Sequence, residues 1–243
     1  MKDAIVSRFY FWVIWLCTKL FTNLTITGRE NLPNPADGGL LIVSNHFTIF
    51  EVPFLATRLP IMPTFFATQE LLGTWWLAPG ILSFREKIIL TNRGNVDRKS
   101  LSAAIGQLKN GGWLSIFPEG GITREIIEVS NRGDSTRDLP FSVTRGEPVV
   151  LLEAKSGVAW MAVQAGVPVV PIAFEGTENV QGELKSLGRT KVKMHIGKPI
   201  GPFKIPAGVR GTEKKQLIDQ FGHQMMQAVA DLLDKRYRGE HYV

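Results

Sequence analysis

GLLIVSNHFTIFEVPFLATRL, residues 39–59, contains two different apolar patterns in immediate succession. Leu40 to Val43 form an unbroken apolar run, the mark of a short strand buried on both faces, and the run stops at the polar residues Ser44, Asn45 and His46. From Phe50 onward, FEVPFLATRL carries its apolar residues at helical spacing. A buried strand that turns directly into a helix is the opening of an α/β unit. The alternation continues outward. IMPTFFAT (61–68) reads as a strand, QELLGTWWLA (69–78) as a helix, KIILTNRG (87–94) as a strand and VDRKSLSAAIGQLKN (96–110) as a helix. WLSIFPEGG (113–121) is then a strand ending in a turn, SGVAWMAVQAG (156–166) a helix, and VPVVPIAFEG (167–176) and TKVKMHIG (190–197) strands. TEKKQLIDQFGHQMMQAVADLLDKRY (212–237) closes the chain as an amphipathic helix. The expected architecture is a single α/β domain with a central mixed sheet flanked by helices.

Two stretches stand outside this alternation. AIVSRFYFWVIWLCTKLFTNL (4–24) concentrates Phe9, Tyr10, Phe11, Trp12, Trp15 and Phe21. Arg8 and Lys19 interrupt the apolar run, and the interval between them falls well short of the roughly 20 residues a spanning helix needs. Eleven residues make about three helical turns, so the two cations share one side. The expectation is an aromatic-rich interfacial helix over 1–26, its rings at headgroup depth and its cations near lipid phosphate, followed by a globular domain over 27–243. No small-residue cleavage site follows Leu24, which argues against a signal peptide. TGRENLPNPADGG (27–39) is an irregular connection. The second outlier, 122–150, is polar and mixed in charge in its first half and reads as an insertion, either a solvated excursion or a lid or partner-contact segment.

The chain has 243 residues and a formal charge of +6, which favours an anionic partner: phospholipid headgroups, a phosphorylated substrate or nucleic acid. Nucleic acid is the weakest of these, because the basic residues are dispersed and the aromatics cluster at the N-terminus. Cys17 is the single cysteine, so no internal disulfide forms, and no Cys/His cluster has zinc-ligand spacing.

Four blocks can carry chemistry. In NHFTIFE (45–51), His46 precedes Glu51 by five positions. On a regular helix that spacing separates two side chains by about 140°, so a contact requires His46 to lie in the turn before the helix bearing Glu51. Glu51 would then hold one imidazole nitrogen and leave the other to accept a proton. In FPEGG (117–121), Glu119 is followed by Gly120 and Gly121, which permit close backbone approach and offer amide donors to an anion. In LTNRG (90–94), Arg93 emerges at a strand end with a fork suited to phosphate. VPVVPI (167–172) reads as a stiff wall. His195, His223 and His241 lack an acid at a telling spacing.

Taken in order, NHFTIFE, ILTNRG, FPEGGI and VPVVPI resemble the glycerol-phosphate and lysophospholipid acyltransferase family, whose members show N-H-x4-D, an arginine-bearing strand, F-P-E-G-T-R and V-P-x-x-P. The resemblance spans roughly residues 39 to 175. It implies that His46 is the general base for attack of a lyso-lipid hydroxyl on the thioester of acyl-CoA or acyl carrier protein, with no cofactor. By the same resemblance Glu51 orients His46, while Arg93, Glu119, Gly120 and Gly121 bind the acceptor's phosphate and glycerol portion and Lys155 adds charge. The family also implies peripheral or monotopic attachment to membrane phospholipids on the cytoplasmic face. Two departures stand out: Glu51 replaces aspartate, and Gly121 and Ile122 replace the Thr and Arg of the third motif. They keep open a second reading, a lipid-binding protein of the same fold that has lost the reaction. A hydrolase built on a G-x-S-x-G elbow is excluded, since no such segment is present.

Overall fold

A computed structural model describes residues 2–73, 82–91, 97–120, 150–155, 157–180 and 188–242. Arg93, Gly121, the second half of the helix expected at 69–78 and the 122–149 part of the insertion lie outside the described residues.

Seven strands make one mixed sheet: β1 (Thr22–Thr27), β2 (Leu40–Ser44), β3 (Thr64–Thr68), β4 (Ile88–Thr91), β5 (Trp113–Ile116), β6 (Val169–Glu175) and β7 (Thr190–Ile196). Their order across the sheet is β1-β7-β6-β2-β5-β3-β4. Every neighbouring pair is parallel except β6 with β7. Among the described residues the α-helices are α1 (Lys2–Phe21), α2 (Glu51–Arg58), α3 (Arg98–Lys109), α4 (Gly157–Ala165) and α5 (Gly211–Ala230). The crossovers required by parallel neighbours put α2 on one face and α3, α4 and α5 on the other.

β2 is the centre of the molecule, and its alternation assigns each residue to a layer. Leu41 and Val43 pack with Ala104 and Leu108 of α3, Ala159 and Ala162 of α4, and Met225 and Val229 of α5. Leu40 and Ile42 point the other way, into a cluster with Phe54 and Leu55 of α2 and Phe65 of β3. All five residues of β2 are buried, as the apolar run required. Just past the strand, buried Asn45 continues the ladder with its side chain. Its Nδ2 donates to the Phe174 carbonyl at 3.0 Å and its Oδ1 accepts from the Phe174 amide at 2.8 Å. The amide thus ties the end of β2 to β6 where regular pairing stops.

The structure departs from the sequence reading at both ends. The N-terminal helix stops at Phe21, and Thr22–Thr27, read as helix and connection, forms a strand paired in parallel with β7. The Thr-rich, alternately exposed pattern of TNLTIT is that of a half-buried strand, and the neighbouring aromatic run masked it. The closing helix ends at Ala230, not Tyr237. Beyond it the chain folds back: the Leu151 amide donates to the Tyr237 carbonyl at 2.8 Å, and Leu233 and Tyr237 are buried.

One side of α1 lies against α2, where Arg58 donates to Thr18 Oγ1 at 2.8 Å. Its other side leaves Val6, Phe9, Trp12, Val13, Leu16 and Leu20 exposed. Positions 6, 9, 13, 16 and 20 alternate by three and four, so they form a continuous apolar stripe along the helix. Among the described residues, no helix is long and apolar enough to cross a membrane.

Candidate active site

Parallel neighbours deliver their carboxyl-terminal loops to the same edge of a sheet, where α/β folds form their binding crevices. The loop after β2 carries His46 and the turn after β5 carries Glu119. The pairing Val43↔Ile116 therefore brings these residues together, although they are 73 positions apart in sequence. The His46 amide donates to Glu119 Oε1 at 2.8 Å.

His46 sits in the turn before α2, and Glu51 is the first residue of that helix. Imidazole Nδ1 lies 3.2 Å from Glu51 Oε2. The direction of this bond follows from its surroundings. The Thr48 amide donates to both Glu51 oxygens at 3.1 Å, the Thr48 hydroxyl donates to Oε1 at 3.3 Å, and the Thr177 hydroxyl donates to Oε1 at 2.5 Å. A carboxylate so surrounded acts as an acceptor, so Nδ1 carries the proton and Nε2 keeps its lone pair. Glu51 has no solvent exposure, whereas the His46 side chain retains 15%. The ring is also clamped from one side: Phe117 stacks on it with centroids 3.9 Å apart and planes 14° from parallel. Held at its face and at Nδ1, the imidazole leaves Nε2 without a partner among the described residues. The N-terminus of α2 adds a favourable partial charge beside Glu51.

Glu119 is tied to backbone amides on two sides. It is 2% exposed, its Oε1 accepts from His46 and its Oε2 accepts from the Leu152 amide at 3.1 Å. It fastens the loop after β2 to the segment leading into α4. The Gly120 amide closes the turn onto the Phe117 carbonyl at 3.1 Å. Glycine is favoured there. The residue has φ +82°, and a Cβ would stand 2.4 Å from Lys155 Nζ. Lys155, exposed and anchored by its amide to the Pro118 carbonyl at 3.0 Å, thus lays its stem over the FPEGG turn. The segment that holds Leu152 and Lys155 is braced by Tyr242. The Tyr242 hydroxyl accepts from the Ala154 amide at 3.3 Å and donates to the Leu152 carbonyl at 3.4 Å; burial pushes it up to about 12, so it stays a neutral phenol.

A family model described as Acyltransferase matches residues 23–175. The chain belongs to the acyltransferase family. One curated relative is the 1-acyl-sn-glycerol-3-phosphate acyltransferase of Chlamydomonas reinhardtii, 28% identical over 201 residues. That alignment covers 79% of this acyltransferase and 51% of the algal protein, so the chain spans about half the length of that relative. Among solved structures, the crystal structure of PlsC, the 1-acyl-sn-glycerophosphate acyltransferase of Thermotoga maritima, is similar with a TM-score of 0.55 at 23% identity. It is covered to 75%, against 90% of the present chain, and the likeness is one of fold.

Residue-type reasoning passed over Thr48 and Thr177. Thr48 stands three before Glu51, the spacing of a capping box in which the acid reaches back to the threonine amide. That signal was present in the sequence; Thr177 left none, because its role depends on the fold. If Glu119 is the clasp described, Glu119→Gln sets an amide NH2 against a backbone N–H. The variant should lose about 1–3 kcal/mol of unfolding free energy in a urea titration. Unchanged stability would contradict the clasp.

Proposed function

We propose that this acyltransferase moves a fatty acyl group from a thioester donor to the hydroxyl of a lyso-lipid at a membrane surface. The observation that carries the reading is the imidazole of His46, fixed through Nδ1 by buried Glu51 with Nε2 left as a base. In the reaction, Nε2 takes the proton of the acceptor hydroxyl as the oxygen attacks the thioester carbonyl carbon. The imidazolium formed is stabilised by the Glu51 carboxylate. Collapse of the tetrahedral oxyanion breaks the C–S bond, and the departing sulfur recovers the proton from Nε2. An ester and a free thiol result, and no acyl-enzyme forms.

The acceptor assigned is lysophosphatidate or a related lyso-lipid, in line with the printed names of the relatives. The donor is acyl-CoA or acyl carrier protein. Arg93 and Gly121 are assigned to the acceptor's phosphate and glycerol portion, with Lys155 supplying a further positive charge over the turn. The alternative, a lipid-binding protein that has lost the reaction, was motivated by Glu51 and by the altered FPEGG turn; the 3.2 Å approach of Glu51 Oε2 to Nδ1 weighs against the first of these grounds.

The exposed stripe of α1, flanked by Arg8 and Lys19, supports attachment to anionic phospholipid, which we assign to the cytoplasmic face. Replacing Phe9 and Trp12 together with serine should reduce co-sedimentation with anionic vesicles at least about tenfold, since each ring buries on the order of 1.5–3 kcal/mol of apolar surface. Undiminished vesicle binding would contradict the attachment. The reaction is tested with purified protein, labelled acyl-CoA and a panel of lyso-lipids. His46→Ala should lower kcat about 10²–10⁴-fold while its melting temperature stays near that of the parent, because the Glu119 clasp uses the backbone at this position. Normal turnover by His46→Ala would sink the mechanism.

A further inference from the structure

We propose that Thr177 is a positioning residue of the acyltransferase centre, matched to a glutamate at position 51. The proposal rests on the general-base reading of His46. Thr177 lies two residues beyond the stretch matched by the family model, and none of the four sequence motifs includes it. It reaches the centre through the sheet. β6 runs parallel to β2, so its carboxyl end opens at the same edge as His46. Gly176 then turns the chain with φ +86°, close enough to β7 that a Cβ would stand 2.2 Å from the Lys191 carbonyl oxygen. Thr177 follows, with no solvent exposure, and its hydroxyl donates to Glu51 Oε1 at 2.5 Å.

The two oxygens of Glu51 consequently have separate duties. Oε1 receives both threonine hydroxyls, while Oε2 faces His46, and the Thr48 amide donates to both oxygens. A glutamate has one more rotatable bond than an aspartate and is harder to hold in a single pose. Thr177 restricts that freedom further, adding to the local Thr48 contacts an anchor from another strand end on the oxygen that does not touch the imidazole. An aspartate carboxylate would end one methylene nearer the α2 backbone, out of register with the same hydroxyl. Thr177 and Glu51 therefore form a pair, and the hydroxyl acts on catalysis through the orientation of His46.

The experiment uses the full chain with a long-chain acyl-CoA and lysophosphatidate in vesicles, and compares Thr177→Val, which keeps the shape, with Thr177→Ser, which keeps the hydroxyl. Loss of one hydrogen bond to a buried carboxylate should lower kcat of the valine variant about 10–100-fold with KM unchanged, whereas the serine variant stays within about threefold of the parent. In the Glu51→Asp background the valine substitution should add less than about threefold, because the pair is already broken. Nitrogen NMR of the His46 ring gives a readout independent of turnover: the proton sits on Nδ1 in the parent and is shared between both nitrogens in Thr177→Val. Should the valine variant not fold, Thr177→Ala takes its place. Serine as damaging as valine, equal penalties in both backgrounds, or an unchanged ring tautomer would overturn the proposal. Turnover by His46→Ala in the same assay would refute the general-base reading instead, and the NMR comparison would still decide the Thr177–Glu51 link.

Discussion

The parallel, in-register pairing of β2 with β5 on one side and β6 on the other is the constraint on which the molecule depends. It aligns Leu40–Val43 with Trp113–Ile116 and Leu41–Ser44 with Val169–Ile172. Three strand ends therefore open at one edge, and each supplies a different part: His46 after β2, the FPEGG turn after β5 and Thr177 after β6. A slip of one residue in β2 would exchange the side chains that face its two core layers, setting Leu40 and Ile42 against the spaces that fit Leu41 and Val43, so the packing on both faces favours the observed register. The same burial that stabilises the sheet thus positions the polar groups at its edge.

Two buried carboxylates divide the work there. Burying a carboxylate is tolerable only if its oxygens find donors. Glu119 finds them on backbone amides of two different loops and so fixes the shape of the crevice. Glu51 finds them on Thr48 and Thr177 and presents its remaining capacity to His46. The first acid is a clasp and the second an orienting group, a distinction that follows from what each one touches. Phe117 completes the arrangement by confining the imidazole to one plane.

The parts of this arrangement that were legible in the sequence are those governed by local pattern. The apolar run Leu40–Val43, the strand VVPIAFE and the helix carrying Ala104 and Leu108 were readable because burial imposes strict periodicity. The five-residue gap between His46 and Glu51 was informative for the same reason, since it is compatible with contact only across a strand-to-helix turn. What could not be read depends on tertiary neighbours. TNLTIT is a strand only because β7 pairs with it, and the final helix breaks at Ala230, after which the chain turns back so that the Tyr237 carbonyl accepts from the Leu151 amide. Glu119 shows the same dependence: an acid beside two glycines suggests a ligand contact, and only the fold supplies the amides of His46 and Leu152 from which its oxygens accept.

The account stands most squarely on Glu51 as the group that orients His46, in a position where the family motif places aspartate. Glu51→Gln tests this directly, because the amide nearly preserves the volume while losing the charge that stabilises the imidazolium. The measurement is kcat for acyl transfer under saturation by both substrates, with folding checked by thermal melting. The expected result is a fall of about 10²–10⁴-fold in a protein that remains folded and still binds donor and acceptor. Turnover by folded Glu51→Gln at the parent rate would contradict the account.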